Sequence, residues 1–80
     1  MFIVTEDGSK GFKWEDDMIV TLGVNKVKFF TRDGLKQHWL IEFVNSDTAR
    51  RYWMIMHEWY NRGEPIFKLR DKDLKHERNN

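Results

Sequence analysis

The residues best suited to chemistry in this chain are three histidines, thirteen acids and two serines, and their spacing tests each reaction class in turn. His57-Glu58 opens like the helical zinc-protease motif, in which a second histidine four residues on shares the helix face and the metal. Here that position is Asn61. His38, His57 and His76 fall on an expected strand, an expected helix and the last segment, with no ligand spacing among them, so three solvent-exposed histidines and no metal are predicted. Glu6, Asp7, Glu15, Asp16 and Asp17 offer the oxygen ligands that calcium or magnesium take, but the alternating loop that wraps such an ion is missing. Their expected role is to keep loops soluble. Ser9 and Ser46 have no nucleophile elbow around them, and Gly8-Ser9-Lys10-Gly11 lacks the spacing of a phosphate-cradling loop. Cysteine is absent, which removes a thiolate zinc site and a cysteine nucleophile, and suits a reducing cytoplasm where disulfides do not persist. The expectation is a protein that is not an enzyme and carries no cofactor.

Binding surfaces fit the residues better. The net charge is +1, yet it is unevenly spread: residues 1–17 hold five acids against two lysines, while residues 18–51 hold six bases against three acids. The basic part contains the hairpin NKVKFFTRDGLKQHWLIEFVN, Asn25 to Asn45. A two-residue turn at Asp33-Gly34 would oppose Lys28 to Trp39 and mix charge with aromatics on one face. A type I turn over residues 31–34, with Gly34 left-handed in a bulge, instead opposes Val27 to Trp39 and Asn25 to Ile41. That register separates the faces, with Val27, Phe29, Leu35, Trp39, Ile41 and Phe43 inward. Lys26, Lys28, Phe30, Lys36, His38, Leu40 and Glu42 then share the outer face.

Two partners suit such a face. For another protein, Phe30 and Leu40 rimmed by charge, with Met54 on the polar side of the following helix, would form the contact. For a nucleic acid, Lys26, Lys28, Lys36 and His38 would track the backbone while Phe30 stacks a base. Protein binding, in the manner of an accessory or regulatory protein, is the favoured reading.

The elements that must position these residues follow from pattern. Phe2-Ile3-Val4 reads as a first strand closed by Glu6-Asp7-Gly8, and the alternation from Met18 to Val24 as a second. Phe12 and Trp14 sit in the loop between, placed to plug an open end of the sheet or to anchor a partner. Asn45-Ser46-Asp47-Thr48 starts a helix that Arg62-Gly63 and Pro65 stop. On a helical wheel Ala49, Trp53, Met56 and Tyr60 form a stripe flanked by Tyr52, Ile55 and Trp59, with Arg50, Arg51, His57, Glu58, Asn61 and Arg62 opposite. The aromatics of RRYWMIMHEWY are therefore expected to be core. Ile66, Phe67 and Leu69 add an edge strand, and the charged stretch from Arg70 to Asn80 reads as a frayed tail.

The predicted fold is α+β: an antiparallel sheet of four to five strands with one long amphipathic helix, about 46–62, packed on one face. It is a single domain over residues 1–69, small enough that folding buries only about 60% of the unfolded chain's surface. A homodimer through the uncovered sheet side is a further arrangement open to one helix on one sheet. MFIVTEDGSK has no basic start and only a four-residue apolar run, so neither a signal peptide nor a membrane span is expected. The segment WLIEFVNSDTARRYW, Trp39 to Trp53, resembles the last strand and C-terminal helix of pleckstrin-homology-like domains. That resemblance, over fewer than a third of the residues, implies a tryptophan pointing from the helix into a barrel and carries over no phosphoinositide site.

Overall fold

A five-residue turn after the first strand sets the architecture. Asp7 accepts hydrogen bonds from the Thr5 hydroxyl (2.7 Å), the Ser9 amide (2.9 Å) and the Ser9 hydroxyl (2.8 Å), while Gly8 takes the left-handed conformation at φ 77°. Those donors, led by the Ser9 amide, hold the Asp7 carboxyl down at about 2. The turn returns the chain on itself, so that β1 (Phe2–Thr5) pairs antiparallel with β2 (Gly11–Lys13). Gly11 is required there: a Cβ would lie 2.7 Å from Val4 Cγ1 and 3.0 Å from the Ile3 carbonyl.

The computed structural model describes residues 1–33 and 36–75. It continues through β3 (Ile19–Leu22), β4 (Lys26–Phe30), β5 (Gln37–Glu42), helix α1 (Ser46–Asn61) and β6 (Ile66–Leu69). The architecture is α+β, but the single antiparallel sheet expected from the sequence is replaced by two three-stranded sheets, ordered β2-β1-β6 and β3-β4-β5. One pairing is parallel. Strand β6 lies beside β1 with Phe2 opposite Ile66 and Thr5 opposite Leu69.

In the hairpin the faces separate as the alternation predicts, and the register differs by two residues. Val27 opposes Ile41, Lys28 opposes Leu40 and Phe29 opposes Trp39, before a bulge shifts Phe30 to Gln37. The reason is a longer connection: the Thr31 amide bonds the Lys36 carbonyl at 2.8 Å, leaving four residues in the loop. The expected conformation of Gly34 and inward placement of Leu35 lie outside the described residues.

Helix α1 starts where its capping run predicts, with the Asn45 side chain accepting from the Thr48 amide at 2.8 Å. It stops at Gly63, φ 76°, whose amide bonds the Tyr60 carbonyl while the Glu64 amide bonds that of Trp59. Its buried residues are Thr48, Ala49 and Met56. Trp53, expected to point fully inward, is only half-buried, and His57, expected on the exposed face, is half-buried too. The burial of His57 follows from Trp14, read as a plug for the sheet or an anchor for a partner and found in the core: its ring stacks on Tyr60 (4.3 Å between centroids) and stands edge-on to Phe29 (5.3 Å) and His57 (5.0 Å). It thereby covers the His57 flank of the helix, where His57 Nδ1 sits 2.7 Å from the Trp53 carbonyl oxygen.

The core joins Ile3, Phe12, Phe67 and Leu69 of one sheet to Val27, Phe29 and Ile41 of the other, with Trp14, Phe43 just past β5, and Ala49 and Met56 of α1 in the same cluster. Beyond Leu69, in the stretch read as tail, Asp71–Asp73 make a 3-10 turn and Leu74 bridges to Phe43. The Lys75 amide bonds the Glu42 carbonyl at 2.9 Å and its ammonium lies 3.2 Å from the Glu42 carboxylate. Among the described residues no helix is long and apolar enough to cross a membrane.

Candidate functional site

The basic hairpin face is only partly assembled. Lys28 and Leu40 sit opposite one another, as do Lys26 and Glu42, so that an acid and its ion pair with Lys75 interrupt the positive charge. Lys26, Lys28 and Phe30 are half-buried, and Leu40 is 37% exposed. The bulge turns His38 away from these lysines, and its ring lies 6.1 Å from that of core residue Phe12. His38 and Lys36 instead border a hollow of about 550 Å³ whose lining also holds the acids Glu15, Asp17 and Asp33. Met54, 63% exposed, stands apart on α1. His76 lies outside the described residues, and among those described no group of three or more histidines or acids is placed to hold a metal ion.

A different surface gathers unbalanced charge over apolar side chains. Strand β6 is the outer strand of its sheet, and residues of α1 border a hollow together with it. Period-two alternation buries Phe67 and Leu69 and leaves Ile66 and Lys68 exposed, while the helix offers Tyr52, Ile55 and Trp59 from across the gap. The result is a groove of about 690 Å³, within the range of roughly 300–1,000 Å³ typical of ligand clefts. Its apolar floor is anchored by edge-on contacts of Phe67 with Trp59 (5.0 Å) and Tyr52 (6.0 Å). Ile55 is 42% and Ile66 49% exposed, and Phe2, the cross-strand neighbour of Ile66, extends the apolar surface beyond the groove.

Arg51, Lys68, Arg70 and Lys72 surround that floor. Among the described residues none of the four makes an ion pair with a carboxylate. The acid at the groove, Asp73, is engaged: its Oδ2 accepts from the Tyr52 hydroxyl at 2.6 Å, and the Tyr52 hydroxyl oxygen in turn accepts from the Arg70 amide at 3.4 Å. Burial, reinforced by the bond to Asp73, pushes the Tyr52 phenol up to about 12. Tyr60 reaches about 12 chiefly through its hydrogen bond to the Asp16 carboxylate.

These are the chain's two tyrosines, so their titration is readable. Each phenol is neutral in the native state and its folded value lies above the unfolded value near 10, so the stability it contributes is present below about pH 10 and lost as pH rises through about 12. Ultraviolet titration of tyrosinate is expected to show native midpoints near 12, with Asp73→Ala lowering the Tyr52 step. A native midpoint at the ordinary value for both would remove the two hydrogen bonds.

The groove residues were legible only in part. Lys68, Arg70 and Lys72 recur every second residue, which on an extended chain places three cations on one side. Arg51 carries no such signal, because its nearness to β6 depends on how the helix packs. Comparison of the chain with models of known protein families, with curated proteins and with solved structures finds no match.

Proposed function

We propose that this protein is a small non-catalytic interaction module that binds another protein, as an accessory or regulatory subunit does. The observation that supports it is the α1–β6 groove, where exposed Ile55 and Ile66 and the half-buried Trp59 lie within a rim of charge. Apolar side chains exposed together inside a polar rim are the usual composition of a recognition surface. A fold without cysteine needs no oxidising compartment, which suits a cytoplasmic partner.

Binding to a nucleic acid is the second reading, favoured by the four cations at the groove. It makes a different demand on salt. Contacts to six or more phosphates would lower affinity by about a thousandfold or more between 50 and 200 mM salt, whereas a partly apolar protein contact weakens much less. The experiment is capture from a cell extract with the wild-type protein and with Ile55→Asp, each with and without nuclease. A defined protein retained after nuclease by the wild type and lost with Ile55→Asp is the expected result; recovery that disappears on nuclease treatment would overturn the reading.

A further inference from the structure

The α1–β6 groove has a feature that an ordinary apolar cleft lacks, an open strand edge along its floor. The Pro65 carbonyl accepts from the Phe2 amide at 2.8 Å, which fixes the phase of the parallel pairing. Main-chain groups alternate along a strand, so Phe67 and Leu69 turn theirs toward β1 while Ile66 and Lys68 turn theirs the other way. The Arg70 amide confirms that direction, because it continues the outward row and meets Tyr52 on α1. Among the described residues, the outward groups of Ile66 and Lys68 have no hydrogen-bond partner. An unpaired edge is a template for another strand, and natural folds protect such edges unless they are used.

Resting on the protein-binding reading above, we infer that the partner enters this groove as an extended acidic segment and adds a strand to β6. The four residues of β6 offer an edge of about 13 Å, at about 3.3 Å per residue, which matches a segment of about four residues. Side chains of an added strand alternate between its two faces, so one set meets Ile55 and Trp59 while the other stays in solvent. That favours apolar residues at alternate positions. Acidic residues between and beside them are favoured by Arg51, Lys68, Arg70 and Lys72, which lack carboxylate partners here while Asp73 is engaged by Tyr52. Main-chain bonds supply affinity in such a mode, and the cations select for charge.

The test uses the full chain and three fluorescently labelled probes: an eight-residue peptide alternating glutamate with valine, its glutamine counterpart, and a short oligothymidine. The acidic peptide is expected to bind at least tenfold more tightly than the glutamine peptide, and the double variant Arg70→Glu with Lys72→Glu to abolish that preference. Both positions are exposed, so folding is expected to survive the change. With acidic peptide bound, amide hydrogen exchange by NMR is expected to slow at Ile66 and Lys68, a signature that charge attraction alone does not produce. Equal binding of the two peptides, no binding, or protection away from β6 would overturn the inference. Tighter binding of oligothymidine, displaced by neither peptide, would overturn it in favour of a nucleic-acid groove. A partner captured in the extract experiment despite failure of the acidic peptide would leave the module reading standing and this inference refuted.

Discussion

Phe29→Ala is expected to cost the fold about 3–5 kcal/mol, the usual range for removing a large aromatic from a core. The position is fully buried at the meeting of both sheets. Its ring stands edge-on to Phe12 at 4.6 Å and to Trp14 at 5.3 Å, and on its own sheet it opposes Val20 on one side and Trp39 on the other. Truncation therefore removes the contact through which the two sheets share one interior, and none of those neighbours is free to move in without losing its own partners. Stabilities of natural domains are about 5–15 kcal/mol, so the loss is a large fraction of the whole. With about 4–8 °C per kcal/mol for a domain of this length, a thermal melt should fall by at least about 12 °C. Phe30→Ala, at the half-buried neighbour on the other face, should fall by much less. A Phe29→Ala midpoint within two or three degrees of wild type would show that the sheets do not pack through this residue.

Trp14→Ala should be comparably severe, about 3–5 kcal/mol, although Trp14 belongs to no strand or helix. The loss combines burial with the stacked contact on Tyr60 and two edge-on contacts, each aromatic pair being worth about 0.5–1.5 kcal/mol beyond its area. The segment is pinned from the main chain as well, since the Trp14 amide donates to the Met1 carbonyl at 2.9 Å. Urea unfolding is the suitable measurement, with Trp14→Phe as the companion that keeps a ring and should recover part of the loss. Equal midpoints for wild type and Trp14→Ala would return this tryptophan to the role of a surface anchor.

What could be read from the residues depended on whether the signal was local. The helix was legible because Asn45 and Gly63 mark its ends within the chain itself. The two faces of the β4–β5 hairpin were legible for the same reason. Their register was not, because up to Trp39 a shift of two residues returns each side chain to the same face and leaves the alternation unchanged, and the bulge beyond it that displaces His38 has no mark in the pattern. Strand β2 was hidden by its length of three residues between turn-forming neighbours, and its partnership with β1 rests on the missing Cβ of Gly11. The parallel pairing of β1 with β6 left no trace, since it joins opposite ends of the sequence. The candidate site fared likewise. Counting charge by segment pointed to residues 18–51, whereas three of the four unbalanced cations, Lys68, Arg70 and Lys72, come from β6 and the residues after it, where Glu64 is turned toward Arg62 and Asp73 toward Tyr52.

That joining of opposite ends has a bearing on how the protein is made. Phe2 is synthesised well before its neighbour Ile66, with β2, β3, β4, β5 and α1 made in between. Synthesis proceeds at about 5–20 residues per second, far slower than a hairpin closes, so β1 and β2 can meet early while the outer side of β1 waits. Contacts this distant in sequence slow folding and hold strand edges open during the delay. The nascent chain thus presents β1 unpaired along one edge for seconds, and β6, once it emerges, both completes that sheet and ends its exposure to other chains in the cell.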